Sequence, residues 1–122
     1  MFDEKFEPVK AVLIKERKGD IEEIMIDISS KNSQVTQYLG GTGTFIGQWP
    51  EKDIVIMKCR ESLFEPALNM NKLAEPFHEE IVSGPILLIR MDENAEPKDL
   101  NLVEVLESKL VLQGQPQRSA TR

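Results

Sequence analysis

The chain of 122 residues offers one histidine and one cysteine for nucleophilic or metal chemistry. Cys59 and His78 are therefore the one pair that could serve as nucleophile and base. A reactive thiolate needs cationic or polar surroundings. Cys59 closes the run Ile54-Val55-Ile56-Met57-Lys58-Cys59, on the strand face of Val55 and Met57, which points to a buried, inert thiol. His78-Glu79-Glu80 gathers three donors, yet zinc normally draws on more Cys and His than this chain owns. Asp92-Glu93-Asn94-Ala95-Glu96 is rich in oxygen but lacks the D-x-D-x-D-G spacing and twelfth-place glutamate of a calcium loop. It reads as a solvated acidic turn. No catalytic residue, metal ligand or cofactor is assigned, and the reading leans away from an enzyme.

One stretch, Leu39–Gly47, is rich in glycine. Backbone amides freed by glycine can cradle a phosphate, and Gly41, Thr42, Gly43 and Thr44 are the residues that would do it. A phosphate-binding P-loop needs Gly-Lys-Ser/Thr opening a helix, and a dinucleotide fingerprint needs strand, G-x-G-x-x-G, then helix. Here the lysine is missing, the spacing is G-x-G-x-x-x-G and the order is helix, loop, strand. A helix C-cap followed by a flexible turn and a close backbone approach accounts for the glycines.

The second irregular stretch is Arg60–Ser83, which carries Pro66 and Pro76 and no clean period. It is too long for an ordinary connector and too apolar for a polar linker. It is expected to pack onto the sheet. Its large apolar residues either finish the core or make it the recognition surface, with Trp49, Phe64, Leu68, Met70, Leu73, Phe77 and His78 as partner-binding candidates. Trp49, ahead of Pro50 at a turn, suits either a partner anchor or a cover for one end of the core.

The elements that must position these residues follow from periodicity. Residues 9–16 and 21–28 read as a hairpin around Arg17-Lys18-Gly19-Asp20, with Ile24, Ile26 and Ile28 sharing one face. Asn32 or Ser33 would cap a short helix over 33–39, placing Val35, Tyr38 and Leu39 on one side and ending at Gly40. Residues 44–49, 54–59 and 85–91 are predicted strands; the continuous apolar runs at 54–57 and 86–89 suit central positions. Asp99 or Asn101 would cap a helix over 100–112, Asn101 and Glu104 having capping-box spacing, with Leu102, Leu106 and Leu110 as the buried stripe. The expected fold is α+β, about five mostly antiparallel strands with the last helix packed on the sheet, because the neighbouring strands lie at hairpin spacing. Residues 1–112 form one acidic domain; 113–122, with no core former except one alanine, read as a disordered polar tail.

The net charge is −6, and the tail contributes two arginines, so residues 1–112 carry −8. Such a domain repels phosphate backbones, and its basic residues are scattered, which disfavours nucleic acid. No apolar run approaches the roughly 20 residues of a membrane span, and the acidic N-terminus resembles no secretory signal. A lone cysteine suits a reducing compartment, cytoplasmic by default and nuclear as the alternative. A protein partner is expected. A homodimer is an alternative if strand 9–16 or 44–49 lies at a sheet edge.

Gly43–Met57, Pro76-Phe77-His78-Glu79-Glu80 and Gly84–Asn94 together resemble a family of small single-domain proteins of algae, other protists and the large DNA viruses that infect them. The likeness spans about residues 9–108 and implies one domain in an intracellular setting. It carries no activity, cofactor or catalytic residue onto this chain. The preferred reading is thus a non-enzymatic protein-interaction module or adaptor; the alternative is a small-ligand or nucleotide/phosphate-binding protein or enzyme using Gly40–Gly47.

Overall fold

The computed structural model describes residues 8–28, 34–60 and 67–112. Asn32, Ser33, Phe64 and the polar tail 113–122 lie outside the described residues. The elements in chain order are strands β1 (Val9–Ile14) and β2 (Ile21–Ile26), helix α1 (Gln34–Leu39), strand β3 (Gly43–Trp49), a single 3-10 turn (Pro50–Lys52), strands β4 (Ile54–Cys59), β5 (Lys72–Leu73), β6 (Ile86–Met91) and β7 (Pro97–Lys98), helix α2 (Leu102–Glu107) and strand β8 (Val111–Leu112). The main sheet runs β2-β1-β6-β4-β3, every pairing antiparallel, with β7 added beside β6. The fold is α+β.

Burial explains this order. β6 carries four consecutive buried residues, Ile86–Ile89, and lies in the middle of the sheet, where both faces are covered. β4 is likewise flanked on both sides, by β6 and β3. β1 is also internal, between β2 and β6, so strand 9–16 is not the edge that could pair with a second copy. Its run Ala11–Ile14 is wholly buried and needs a neighbour on each side. Among the described residues the edges are β2 and β3.

The two sheet faces make two cores. One holds Val12, Ile14, Trp49, Ile54, Ile56, Ile86 and Leu88, closed by Leu73, Val82, Leu100, Val105, Leu110 and Val111 from the segments laid over it. The other holds Ala11, Leu13, Ile26, Leu87 and Ile89 with Cys59 and Leu39. α1 covers part of that second face: Leu39 is buried, and Val35 and Tyr38 pack beside it, the i, i+3, i+4 spacing acting as expected. Gly40, at φ +83°, ends the helix and returns its N–H to the Thr36 carbonyl at 2.8 Å.

The C-terminal helix departs from its sequence reading. It spans Leu102–Glu107 rather than 100–112, because Lys109 adopts a left-handed φ of 57°. Lys109 N–H donates to the Leu106 carbonyl and Leu110 N–H to the Val105 carbonyl, both at 3.1 Å, the paired bonds of a Schellman reversal. Leu110 thereby folds back beside Val105 in the core, and Val111–Leu112 becomes a strand against β5. The predicted stripe Leu102–Leu106–Leu110 is accordingly broken: Leu106 and Val103 are exposed, and Val105 takes the buried place.

The capping box also fails to form. Asn101 occupies the N-cap position but its side chain makes no capping bond. Glu104 is drawn instead to Arg90, whose two terminal nitrogens donate to its two carboxylate oxygens. That guanidinium also reaches the Lys52 and Asp99 carbonyls at 3.3 and 3.2 Å, tying β6, the 3-10 turn and α2 together. Pairing with Arg90 holds the Glu104 carboxyl below the usual range, and Glu104 in turn raises Arg90. Glu23 of β2 supplies the missing cap, accepting the Leu102 N–H at 2.9 Å.

Candidate functional site

Leu68, Asn69, Met70 and Asn71 form an irregular ribbon over the first face of the sheet. Leu68 bridges Ser83 in antiparallel fashion; Gly84 N–H donates to the Ala67 carbonyl at 2.9 Å and Asn69 N–H to the Val82 carbonyl at 2.7 Å. Extended chain alternates its side chains, so Asn69 and Val82 share the inward side while Leu68, Met70, Ile81 and Ser83 share the outward one. Exposure follows that alternation: Val82 is buried, whereas Leu68 is 54% exposed, Met70 61% and Ile81 78%.

The two asparagines hold the ribbon in place. Asn69 Nδ2 donates to the Ile14 carbonyl at 3.1 Å and to the Gly84 carbonyl at 2.9 Å. Asn71, the one buried polar residue among the described residues, donates from Nδ2 to the Lys15 and Arg17 carbonyls at 2.8 and 3.0 Å. Its Oδ1 accepts the Gly19 N–H at 2.9 Å, and Met70 N–H donates to the Glu16 carbonyl at 2.8 Å. Asn71 thus satisfies backbone groups of the β1–β2 connection, and Asn69 the carbonyls at the end of β1 and just before β6. The result is a groove of about 650 Å³ between that connection and the ribbon. Leu68, Met70 and Ala67 form one wall, and Lys15, Glu16, Arg17 and Asp20 the other. Lys15 is paired with Glu22 at 3.0 Å, and that bond raises its pKa.

The remaining partner-binding candidates lie elsewhere. Trp49 is buried; its indole Nε1 donates to the Glu75 carbonyl at 3.0 Å, and its ring meets Phe77 edge-on with centroids 5.7 Å apart. Leu73 is buried and Phe77 packs against the same core. The Phe77 ring also lies against Gly47, where an added Cβ would sit 2.5 Å from Phe77 Cε1. His78 is half-exposed, with Nε2 3.8 Å from the Glu79 carboxylate and Nδ1 buried without a hydrogen bond. Segment 67–83 therefore divides into core residues and an outward apolar face.

Gly41–Thr44 does not remain a loop. Gly43 and Thr44 begin β3, and the Thr42 carbonyl accepts the Arg60 N–H at 2.7 Å. Gly43 is packed against Leu39, Val35 and Met57, so its lack of a side chain serves the contact of α1 with the sheet. Cross-strand register puts Thr44 beside Lys58, and Thr42 beside Arg60.

Cys59 and His78 are not brought together. Cys59 belongs to the core on one sheet face, while His78 follows Phe77, which packs on the other. In the acidic turn, Asp92 Oδ1 accepts the N–H groups of Asn94 and Glu96 at 2.9 and 3.0 Å, and these bonds lower its pKa. No group of three or more Cys, His, Asp or Glu among the described residues is placed to hold a metal ion. No helix among them is long and apolar enough to cross a membrane.

Sequence reasoning missed the role of Asn69 and Asn71. Their spacing of two, alternating with Leu68 and Met70, is a strand alternation with polar residues inward, the reverse of the usual pattern. It also missed Ile81 as an outward residue and the β1–β2 connection as the facing wall.

Comparison with curated proteins finds no match, nor does comparison with solved structures. A family model described as a family of unknown function (DUF5880) matches residues 12–107, from within β1 to the last residue of α2. The match spans most of the chain, which therefore belongs to that family.

Proposed function

We propose that this chain is a non-enzymatic interaction module that binds a protein segment in the groove between the β1–β2 connection and the ribbon at 67–71. The observation that carries this reading is the outward face of Leu68, Met70 and Ile81, built on a side-chain-pinned backbone. An apolar face left unsupported would cost little to fold inward; here two asparagines spend their hydrogen bonds holding it outward. The ligand is an apolar side chain on a protein segment, its flanking backbone or acidic groups meeting Arg17 at the rim. The setting proposed for this activity is the cytoplasm, with the nucleus as the alternative.

The test uses the full chain and a Leu68→Ser/Met70→Ser variant. A protein captured by the wild type is identified, purified and titrated against both by calorimetry. Wild type is expected to bind and the variant to bind at least about tenfold more weakly, with stability changed by under about 0.5 kcal/mol per site, as exposed positions behave. Equal binding by both, or a loss of about 2–5 kcal/mol per site as in core truncations, overturns the reading.

A second reading is supported by the register that places Thr42, Thr44, Lys58 and Arg60 on one face at the sheet's end. Two hydroxyls and two cations there suit a phosphate group. A thermal-shift panel of inorganic phosphate and nucleotides tests it, a bound anion raising the melting temperature by linkage. A flat response overturns it.

A further inference from the structure

We infer that a second copy of this chain pairs antiparallel along the open edge of β3, joining two main sheets into one continuous sheet about a two-fold axis through Phe45. Among the described residues, no strand pairs with β3 on its outer side. Its sequence, Gly-Thr-Phe-Ile-Gly-Gln-Trp, holds no charge and no proline, the residues that usually guard an exposed edge. The other edge is guarded. β2 carries Glu22 and Glu23, and the Tyr38 hydroxyl donates to the Met25 carbonyl at 3.4 Å on its outer side.

The backbone phase fixes the pairing. Arg60 N–H donates to the Thr42 carbonyl and Met91 N–H to the Asp53 carbonyl. Odd residues of β4 therefore turn toward β6, while Ile54, Ile56 and Lys58 turn toward β3 and bind Trp49, Gly47 and Thr44. The groups left facing outward belong to Gly43, Phe45 and Gln48, the bulge at Ile46 restoring the phase between the last two. A two-fold axis through Phe45 sets Gly43 opposite Gln48 of the second copy and Phe45 opposite itself, so all the outward groups meet partners.

Side chains and charge fit the same axis. Phe45 is 58% exposed and borders a cleft of about 310 Å³ with Gly47, Gln48 and Val55. The two rings meet on one face, each closing the other's cleft. The hairpin of β3 and β4 is basic at one end, with Lys58 and Arg60, and net acidic at its turn, where Glu51 and Asp53 flank Lys52. Antiparallel pairing lays each basic end against the other copy's acidic turn, a complementarity that matters between two acidic domains.

Sedimentation of the full chain across concentration is expected to show a species of twice the 13.9 kDa monomer. Phe45→Lys sets two charges against each other at the axis and is expected to weaken dimerisation at least about tenfold, as like charges in an interface do. Arg60→Glu is expected to weaken it and Arg60→Glu/Glu51→Lys to restore it, both sites lying on the exposed surface. A monomer at all concentrations up to about 1 mM, the weak end of specific association, overturns the inference. So does a dimer indifferent to Phe45→Lys, or one that the double variant fails to restore. Leu68→Ser/Met70→Ser leaves this dimer intact, so its fate is independent of the groove's.

Discussion

Replacing Asn71 by alanine tests whether one buried amide holds the groove's two walls together. The substitution removes donors to the Lys15 and Arg17 carbonyls and the acceptor of the Gly19 N–H. Arg17 and Gly19 are exposed, and the Arg17 carbonyl keeps its bond from Asp20 N–H, so water and that bond absorb part of the loss. The half-buried Lys15 carbonyl loses its side-chain partner. One unsatisfied half-buried group at about 1–1.5 kcal/mol and two solvent-replaced bonds at about 0.5 kcal/mol each give a loss of about 2–2.5 kcal/mol. For a domain of this size that lowers Tm by roughly 10–20 °C. Equilibrium urea unfolding should show a lower midpoint with unchanged m. Asn71→Asp keeps the acceptor for Gly19 but sets a carboxylate oxygen against two carbonyls, which raises its folded pKa above the unfolded value of about 3.9. Its extra destabilisation is therefore absent below the unfolded pKa, grows as pH rises, and is complete above the folded pKa. A loss under about 0.5 kcal/mol for Asn71→Ala, or an Asn71→Asp deficit that does not shrink toward low pH, would refute the pinning role.

Gly47→Ala drives a Cβ into the Phe77 ring and should cost about 1–3 kcal/mol, measured by thermal unfolding, with the Trp49 fluorescence reporting the displaced ring. Lys109→Gly removes the left-handed strain of the helix stop and should stabilise the domain by about 0.5–1 kcal/mol in urea, the gain being limited by the added freedom of the unfolded chain. Glu104→Gln should destabilise at pH 7 by about 0.5–1 kcal/mol, discounted because the carboxylate is partly solvated. Since its folded pKa is lowered, that contribution is present above the unfolded value of about 4.3 and is lost as pH falls through the folded one, so the two unfolding curves should converge on acidification.

Local patterns alone were enough for the α+β class and the ladder of strands: continuous apolar runs at 54–57 and 86–89, alternation at 21–28, and Gly40 as a helix stop. These signals are local because backbone geometry alone ties period to element. What the tertiary structure decided was every pairing over distance. Lys109 ends α2 in a conformation that lysine rarely prefers, because burying Leu110 and pairing Val111–Leu112 with β5 outweigh the local strain. Glu104 leaves the capping box because Arg90, fourteen residues earlier, offers a bidentate ion pair, and Glu23 from β2 takes its place. Strand 9–16 proved internal because β6 reaches it from across the chain. The split of 67–83 into core and outward face rested on Asn69 meeting the end of β1, and Asn71 the β1–β2 connection, more than fifty residues away. Such contacts have no period to read: their partners are chosen by which unsatisfied backbone groups the folded sheet leaves within reach.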